Sequence, residues 1–133
     1  MQYMLDTNIC IYIIKKKPVT VYKTLEKLNI GDICISAITL AELAYGVEKS
    51  QNKEKNKLAL TVFSAPFEIL PFSDKAALVY GQIRAELERR GKIIGAHDML
   101  IAAHALSENL TLVTNNTAEF QRIPGLALEN WAV

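Results

Sequence analysis

Four acids in this chain stand where acids are costly. Asp6 separates two apolar runs, Tyr3-Met4-Leu5 and Ile9-Cys10-Ile11-Tyr12-Ile13-Ile14. Glu42, Asp98 and Glu119 recur in similar settings: Thr39-Leu-Ala-Glu-Leu43, His97-Asp-Met-Leu-Ile101 and Thr117-Ala-Glu-Phe120. On a helix, residues three and four apart share a face. Glu42 then shares one with Ile38, Thr39, Tyr45 and Gly46, and Asp98 shares one with Ile94, Gly95, Ile101 and Ala102. Both point inward. Carboxylates gathered together repel by up to about 4 kcal/mol per pair at 4 Å and an effective dielectric near 20. The basic residues Lys15, Lys16, Lys17, Arg89, Arg90 and Lys92 fall at helix ends, poorly placed to neutralise them, so a divalent cation is the economical answer. Oxygen-only donors favour Mg²⁺ or Mn²⁺ over Zn²⁺. His97 and His104 lie about 10 Å apart along one helix and cannot share an ion. His104 reads as an ordinary helix residue and His97 as a polar neighbour at the rim.

The elements that must position these acids alternate between apolar strands and helical periods, the pattern of a parallel sheet covered by helices on both faces. Strand 3–5 puts Asp6 at its carboxyl end, where open α/β sheets keep their ligand crevices. A short helix follows over 8–15, then a second one with Pro18 in its first turn. Residues 32–35 form the next strand, and Ser36 caps a helix reaching about residue 50. A helix through Phe63 leads to strand 67–70. Ser73 and Asp74 open the longest helix, which ends at Arg89-Arg90-Gly91, so Asp74 complements the helix dipole and is no catalyst. A helix over 96–108, strand 111–114, a short turn through Phe120 and a last strand near 126–128 complete the chain.

With 133 residues, the chain is read as one domain over 1–133. Fifteen basic residues against 14 acidic leave a net charge of +1, so any basic footprint is local. No signal peptide or membrane span is evident, and a cytoplasmic location is expected. Cys10 and Cys34 lie among β-branched neighbours with no metal-ligand spacing and read as buried thiols.

The residues also carry a resemblance. Met4-Leu-Asp-Thr-Asn8, Ser36 to Glu42 with Tyr45-Gly46, Gly95-Ala-His-Asp98 with Leu100-Ile-Ala-Ala-His104, Leu112-Val-Thr-Asn-Asn116 through Glu119-Phe120, and then Pro124-Gly125 and Glu129-Asn-Trp131 together resemble the PIN-domain ribonucleases, and within them the VapC toxins of bacterial type II toxin–antitoxin pairs.

That resemblance implies a three-layer α/β/α sandwich around a parallel sheet of about five strands. It implies Asp6 and Asp98 as direct Mg²⁺ ligands, with Mn²⁺ as a substitute, and Glu42 and Glu119 completing the acidic cluster. Thr7, Asn8, Thr114 and Asn115 would hydrogen-bond the carboxylates or the metal's waters. One departure stands out: many PIN domains carry an acid where this chain has Asn116, and Glu119 takes that role here. The implied activity is an endoribonuclease, with water activated by bound metal attacking a phosphodiester; the members most similar to this pattern cut tRNA in the anticodon stem-loop. Lys15, Lys16, Lys17, Lys49, Arg89, Arg90 and Lys92 would supply phosphate contacts. The implied partners are a second copy of the chain and a VapB-type antitoxin, through which the pair binds operator DNA. Ile9, Tyr12, Ile13, Val21, Leu25 and Leu28 have the helical spacing to line the antitoxin's groove.

Rival classes make different demands. A phosphoacceptor domain would want adjacent acids on the first strand and a Lys after the last. A haloacid-dehalogenase-like phosphatase would need an Asp where Asn8 stands. A catalytically inactive PIN-like binding module would retain inward carboxylates at a cost in stability for no return.

Overall fold

A computed structural model of the chain describes residues 1–133. The apolar runs form β1 (Tyr3–Leu5), β2 (Ile33–Ser36), β3 (Glu68–Leu70), β4 (Thr111–Val113) and β5 (Leu128–Glu129). All pair in parallel, in the order β3-β2-β1-β4-β5. Between them run α1 (Thr7–Lys15), α2 (Val19–Glu26), α3 (Ala37–Glu48), α4 (Lys53–Ser64), α5 (Asp74–Arg89), α6 (Ala96–Ser107) and α7 (Thr117–Phe120), with a 3₁₀ turn at Ile30–Asp32. No helix is long and apolar enough to cross a membrane.

Alternation along the strands splits the core into two layers. Met4, Cys34 and Leu112 pack with Ile83 and Leu87 of α5 and with Met99, Ala102, Ala103 and Ala105 of α6. Tyr3, Leu5, Ile33, Ile35 and Val113 face the other way, onto Ile9 and Ile13 of α1, Val21 and Leu25 of α2, and Leu43 of α3. The central strand β1 is buried at every position, as a strand covered on both faces should be. This is the expected three-layer sandwich. Cys10 and Cys34 are buried free thiols.

The caps fall where short polar side chains were expected. Ser36 accepts from the Ile38 N–H and Ser73 from the Ala76 N–H; Pro18 stands at the N-cap of α2, one position earlier than read. The last strand is the clearest shift, at Leu128–Glu129 instead of 126–128. Gly125, at φ 81°, turns the chain so that Leu126 packs onto the core first, and pairing begins only at Leu112 with Leu128.

Register then builds the functional edge. Leu5 is aligned with Ile35 of β2 and with Val113 of β4, so Asp6, Ser36 and Thr114 stand in one row at the carboxyl ends of three neighbouring strands. The Asp6 N–H continues the ladder to the Val113 carbonyl at 3.0 Å. Because the chain leaves β1 toward β2 on one side and β4 lies on the other, this row is a topological switch point, where such sheets bind ligands.

Candidate active site

Asp6 caps α1: its Oδ1 accepts the Ile9 N–H at 2.9 Å. A helix N-terminus favours a carboxylate, and the Thr114 hydroxyl also holds down its pKa. Burial outweighs both. Desolvation, with smaller contributions from the charges of Asp98 and Glu42, pushes Asp6 up to about 6. Asp98, in the first turn of α6, is likewise raised, by burial first and then by Glu119 and Glu42, with His97 opposing. The four acids therefore feel one another across the edge of the sheet.

Glu42 is clasped from two elements. Thr7 Oγ1 of α1 donates to Oε1 at 2.7 Å, and His97 Nδ1 of α6 lies 3.2 Å from Oε2. No Lys or Arg makes an ion pair with Asp6, Glu42, Asp98 or Glu119. Desolvated Asp6 and Asp98, repelled by each other's and their neighbours' charges with no Lys or Arg beside them, make a site short of positive charge. Its donors are all oxygens, which fits a hard divalent cation. No three His, Cys, Asp or Glu side chains converge closely enough to ligate one point together, although the acids interact electrostatically. Charge acts over longer distances than ligation does. A donor set of two carboxylates completed by water suits Mg²⁺, which keeps several waters.

Comparison with known proteins decides the family. The PIN domain family model matches residues 3–126. Ribonuclease VapC2 of Rickettsia felis is 56% identical over 132 residues, covering 98% of each chain. The tRNA(fMet)-specific endonuclease VapC of Shigella flexneri is 48% identical over 132 residues and 99% of each. Among solved structures, VapBC2 from Rickettsia felis bound to a DNA fragment from their promoter superposes with a TM-score of 0.91 at 54% identity, covering 98% of this chain and 99% of that one. The chain belongs to the PIN-domain family, in its VapC branch.

Within this PIN domain, the charges of Glu42 and Asp98 reach Asp6 and those of Glu42 and Glu119 reach Asp98, while Thr7 bonds Glu42 and Thr114 bonds Asp6. Thr114 Oγ1 also accepts the Asn116 N–H at 2.9 Å and so shapes the start of α7. Asn8 and Asn115 are exposed. Asn115 donates to Tyr12 Oη at 3.3 Å and accepts from Asn130 at 3.2 Å. Of the six groove residues, Ile9 and Val21 are fully buried core side chains. An apolar cavity of about 600 Å³ does take in Ile13 and Leu25, but its outer wall is α4, with Leu58, Val62 and Phe63. The basic residues scatter: Lys16 stacks over Tyr22, Lys49 over Tyr45, and Arg89 and Arg90 pair with Glu86.

His104 is a correction. It is buried, its Nδ1 lies 2.8 Å from Ser36 Oγ, and its ring meets Phe72 edge-on at 5.4 Å. Burial holds its pKa below the usual histidine range. The signal was present in the small residues Ala102, Ala103 and Ala105 around it, which bring that helix face against the sheet. The His97 clasp on Glu42 had no comparable signal, because it joins residues 55 positions apart in the chain.

Proposed function

We propose that residues 1–133 act as one PIN domain and as the toxin of a toxin–antitoxin pair, a Mg²⁺-dependent endoribonuclease that hydrolyses RNA phosphodiesters, with the anticodon stem-loop of tRNA as substrate. The observation that carries this reading is buried Asp6 at the switch point, pushed up to about 6 beside the partly exposed Glu42 and Asp98, with no Lys or Arg paired to any of them. The name of the Shigella flexneri relative supports tRNA as the substrate class, and the solved VapBC complexes support an antitoxin partner and, through it, promoter DNA.

Asp6 and Asp98 would hold the cation, which supplies positive charge against phosphate oxygens and acidifies water at the site. Every other role falls to the chain. Thr7 and His97 fix the Glu42 carboxylate from opposite sides, so that it can accept a proton from attacking water without swinging away. Glu119 of α7 adds its charge to the field at Asp98 and completes the acidic set. A covalent route lacks its nucleophile: Ser36 is buried and spent on the α3 cap and His104, Cys10 is buried with its pKa pushed up by desolvation, and burial holds Cys34 up at about 12.

The test is incubation of the purified chain with total tRNA in Mg²⁺ and in EDTA, with cleavage ends mapped by primer extension. Metal-dependent cuts confined to anticodon stem-loops are expected. An intact tRNA pool in Mg²⁺ would overturn the reading.

A further inference from the structure

A second cavity, of about 550 Å³, opens between the C-terminal end of α5 and the turn after α7. Its charged lining is entirely basic: Arg90, Lys92 and Arg122. Two of these cations are fastened to main chain. Arg90 donates to the Arg122 carbonyl at 2.6 Å, and Arg122 donates to the Ile93 carbonyl at 3.1 Å. Gly91, at φ +64°, makes the turn that brings Lys92 back beside Arg90, and the Lys92 N–H closes onto the Leu87 carbonyl at 2.9 Å. Arg90 Nε also lies 3.7 Å from Glu86 Oε1, outside the lining, whereas neither Lys92 nor Arg122 makes an ion pair. Like charges held around one concave space, with no acid in its lining, form a preorganised anion site, and the fixed forks of arginine suit phosphate.

Its location says which phosphate. Ala118, Gln121 and Arg122 lie on one face of the α7 turn and line the cavity. Glu119 lies about 100° further round, given 3.6 residues per turn, close enough for its charge to raise the pKa of Asp98. The Ile93 carbonyl that receives Arg122 leads within five residues to Asp98. The acidic edge and the basic cavity are adjacent faces of one short element. Residues three apart on a helix set their Cβ atoms about 5–6 Å from each other, a spacing that lets one extended RNA strand reach both.

We propose that Arg90, Lys92 and Arg122 form a backbone-phosphate subsite for the RNA substrate, holding a phosphate next to the one that is cut. This rests on the ribonuclease reading above and adds where the strand lies: across α7, from the acids toward the end of α5. Arg122 becomes a binding residue that its position in the sequence did not announce.

The test measures binding of a fluorescently labelled anticodon stem-loop RNA in Mg²⁺ by anisotropy across a salt series. The parent is the full chain carrying Asp98→Asn to stop cleavage, and wild-type cleavage is assayed in parallel. Adding Lys92→Gln or Arg122→Gln is expected to lower the slope of log K against log salt by about 0.7, the loss of one phosphate contact on a single strand, or about fivefold in Kd at 0.1 M salt. Lys92→Gln removes no hydrogen bond, so the result does not hang on how Arg122→Gln folds. Lys75→Gln, about 22 Å away at the other end of α5, should bind as the parent does. Parent-like binding by both variants, an equal loss with Lys75→Gln, an equal loss on duplex promoter DNA, or a parent that binds no RNA would each overturn the subsite. Wild-type protein that cuts RNA while the cavity variants bind normally sinks the subsite alone; wild-type protein that cuts nothing sinks the ribonuclease reading itself.

Discussion

Asp6 caps a helix and carries a charge that the fold resists. Its pKa of about 6 in the folded chain, against an ordinary 3.8, means the native state binds the proton more tightly than the unfolded one. Ionisation therefore costs stability. The cost is absent below about pH 4 and complete above about pH 6, and amounts to roughly 3 kcal/mol. Asn caps helices as well as Asp does, so Asp6→Asn keeps the bond to Ile9 while removing the charge. Metal-free Asp6→Asn should melt roughly 5–10 °C higher than wild type at pH 7.5, with the gain vanishing near pH 4; thermal melts in EDTA at the two pH values check it. Added Mg²⁺ should stabilise wild type and leave the variant unmoved. At the fourth acid, Glu119→Gln should slow cleavage roughly 10–100-fold and Asn116→Ala less than about threefold, the range expected for groups that orient a metal site from outside. A larger loss at Asn116 in single-turnover assays would reassign that side of the site. The acids were legible in the sequence because each breaks an apolar face. Asn115 was not, since its partners Tyr12 and Asn130 come from elements that meet only in the folded sheet.

At the scale of elements, Ser36 links the sheet to two helices. Its hydroxyl oxygen accepts the Ile38 N–H at the start of α3 and meets His104 Nδ1 of α6. His104 Nε2 is already buried without a partner. Ser36→Ala would strand the second ring nitrogen as well as the cap, so a loss of about 2–3 kcal/mol is expected, more than a cap alone. Urea denaturation measures it, and a loss under about 1 kcal/mol would show that the bond to His104 contributes little. Helix starts were readable wherever a Ser, Asp or Pro marked them. The start of β5 was not, because it depends on where Leu126 finds its place in the core and not on local propensity. The burial of Ile9 and Val21 was hard to read for a related reason: helical spacing shows that they face inward, but not whether an inward face meets sheet or solvent.

For the whole molecule, the fold leaves an apolar cavity that reaches down to the buried Ile13 and Leu25, with an outer wall on α4 where Leu58 and Val62 are 65% and 67% exposed. A polar residue at Ile13 would damage the core as well as any interface. Leu58→Asp and Val62→Asp instead touch only the outer wall, and in the proposed pair they should weaken antitoxin binding at least about tenfold while RNA cleavage stays at the wild-type level, since each loses a buried apolar contact worth roughly 1.5–3 kcal/mol. Calorimetry with the antitoxin, beside a cleavage assay, separates the two effects. Catalysis, however, requires the acids to act through a divalent cation. The direct measurement is the single-turnover rate of tRNA cleavage by wild type, Asp6→Asn and Asp98→Asn in Mg²⁺, in Mn²⁺ and in EDTA. Wild type should cut in either metal and stop in EDTA, and each variant should fall by about 10²–10⁴-fold, the rate equivalent of losing a few kcal/mol of charge stabilisation. Cleavage that survives EDTA, or an Asp98→Asn protein as fast as wild type, would contradict it.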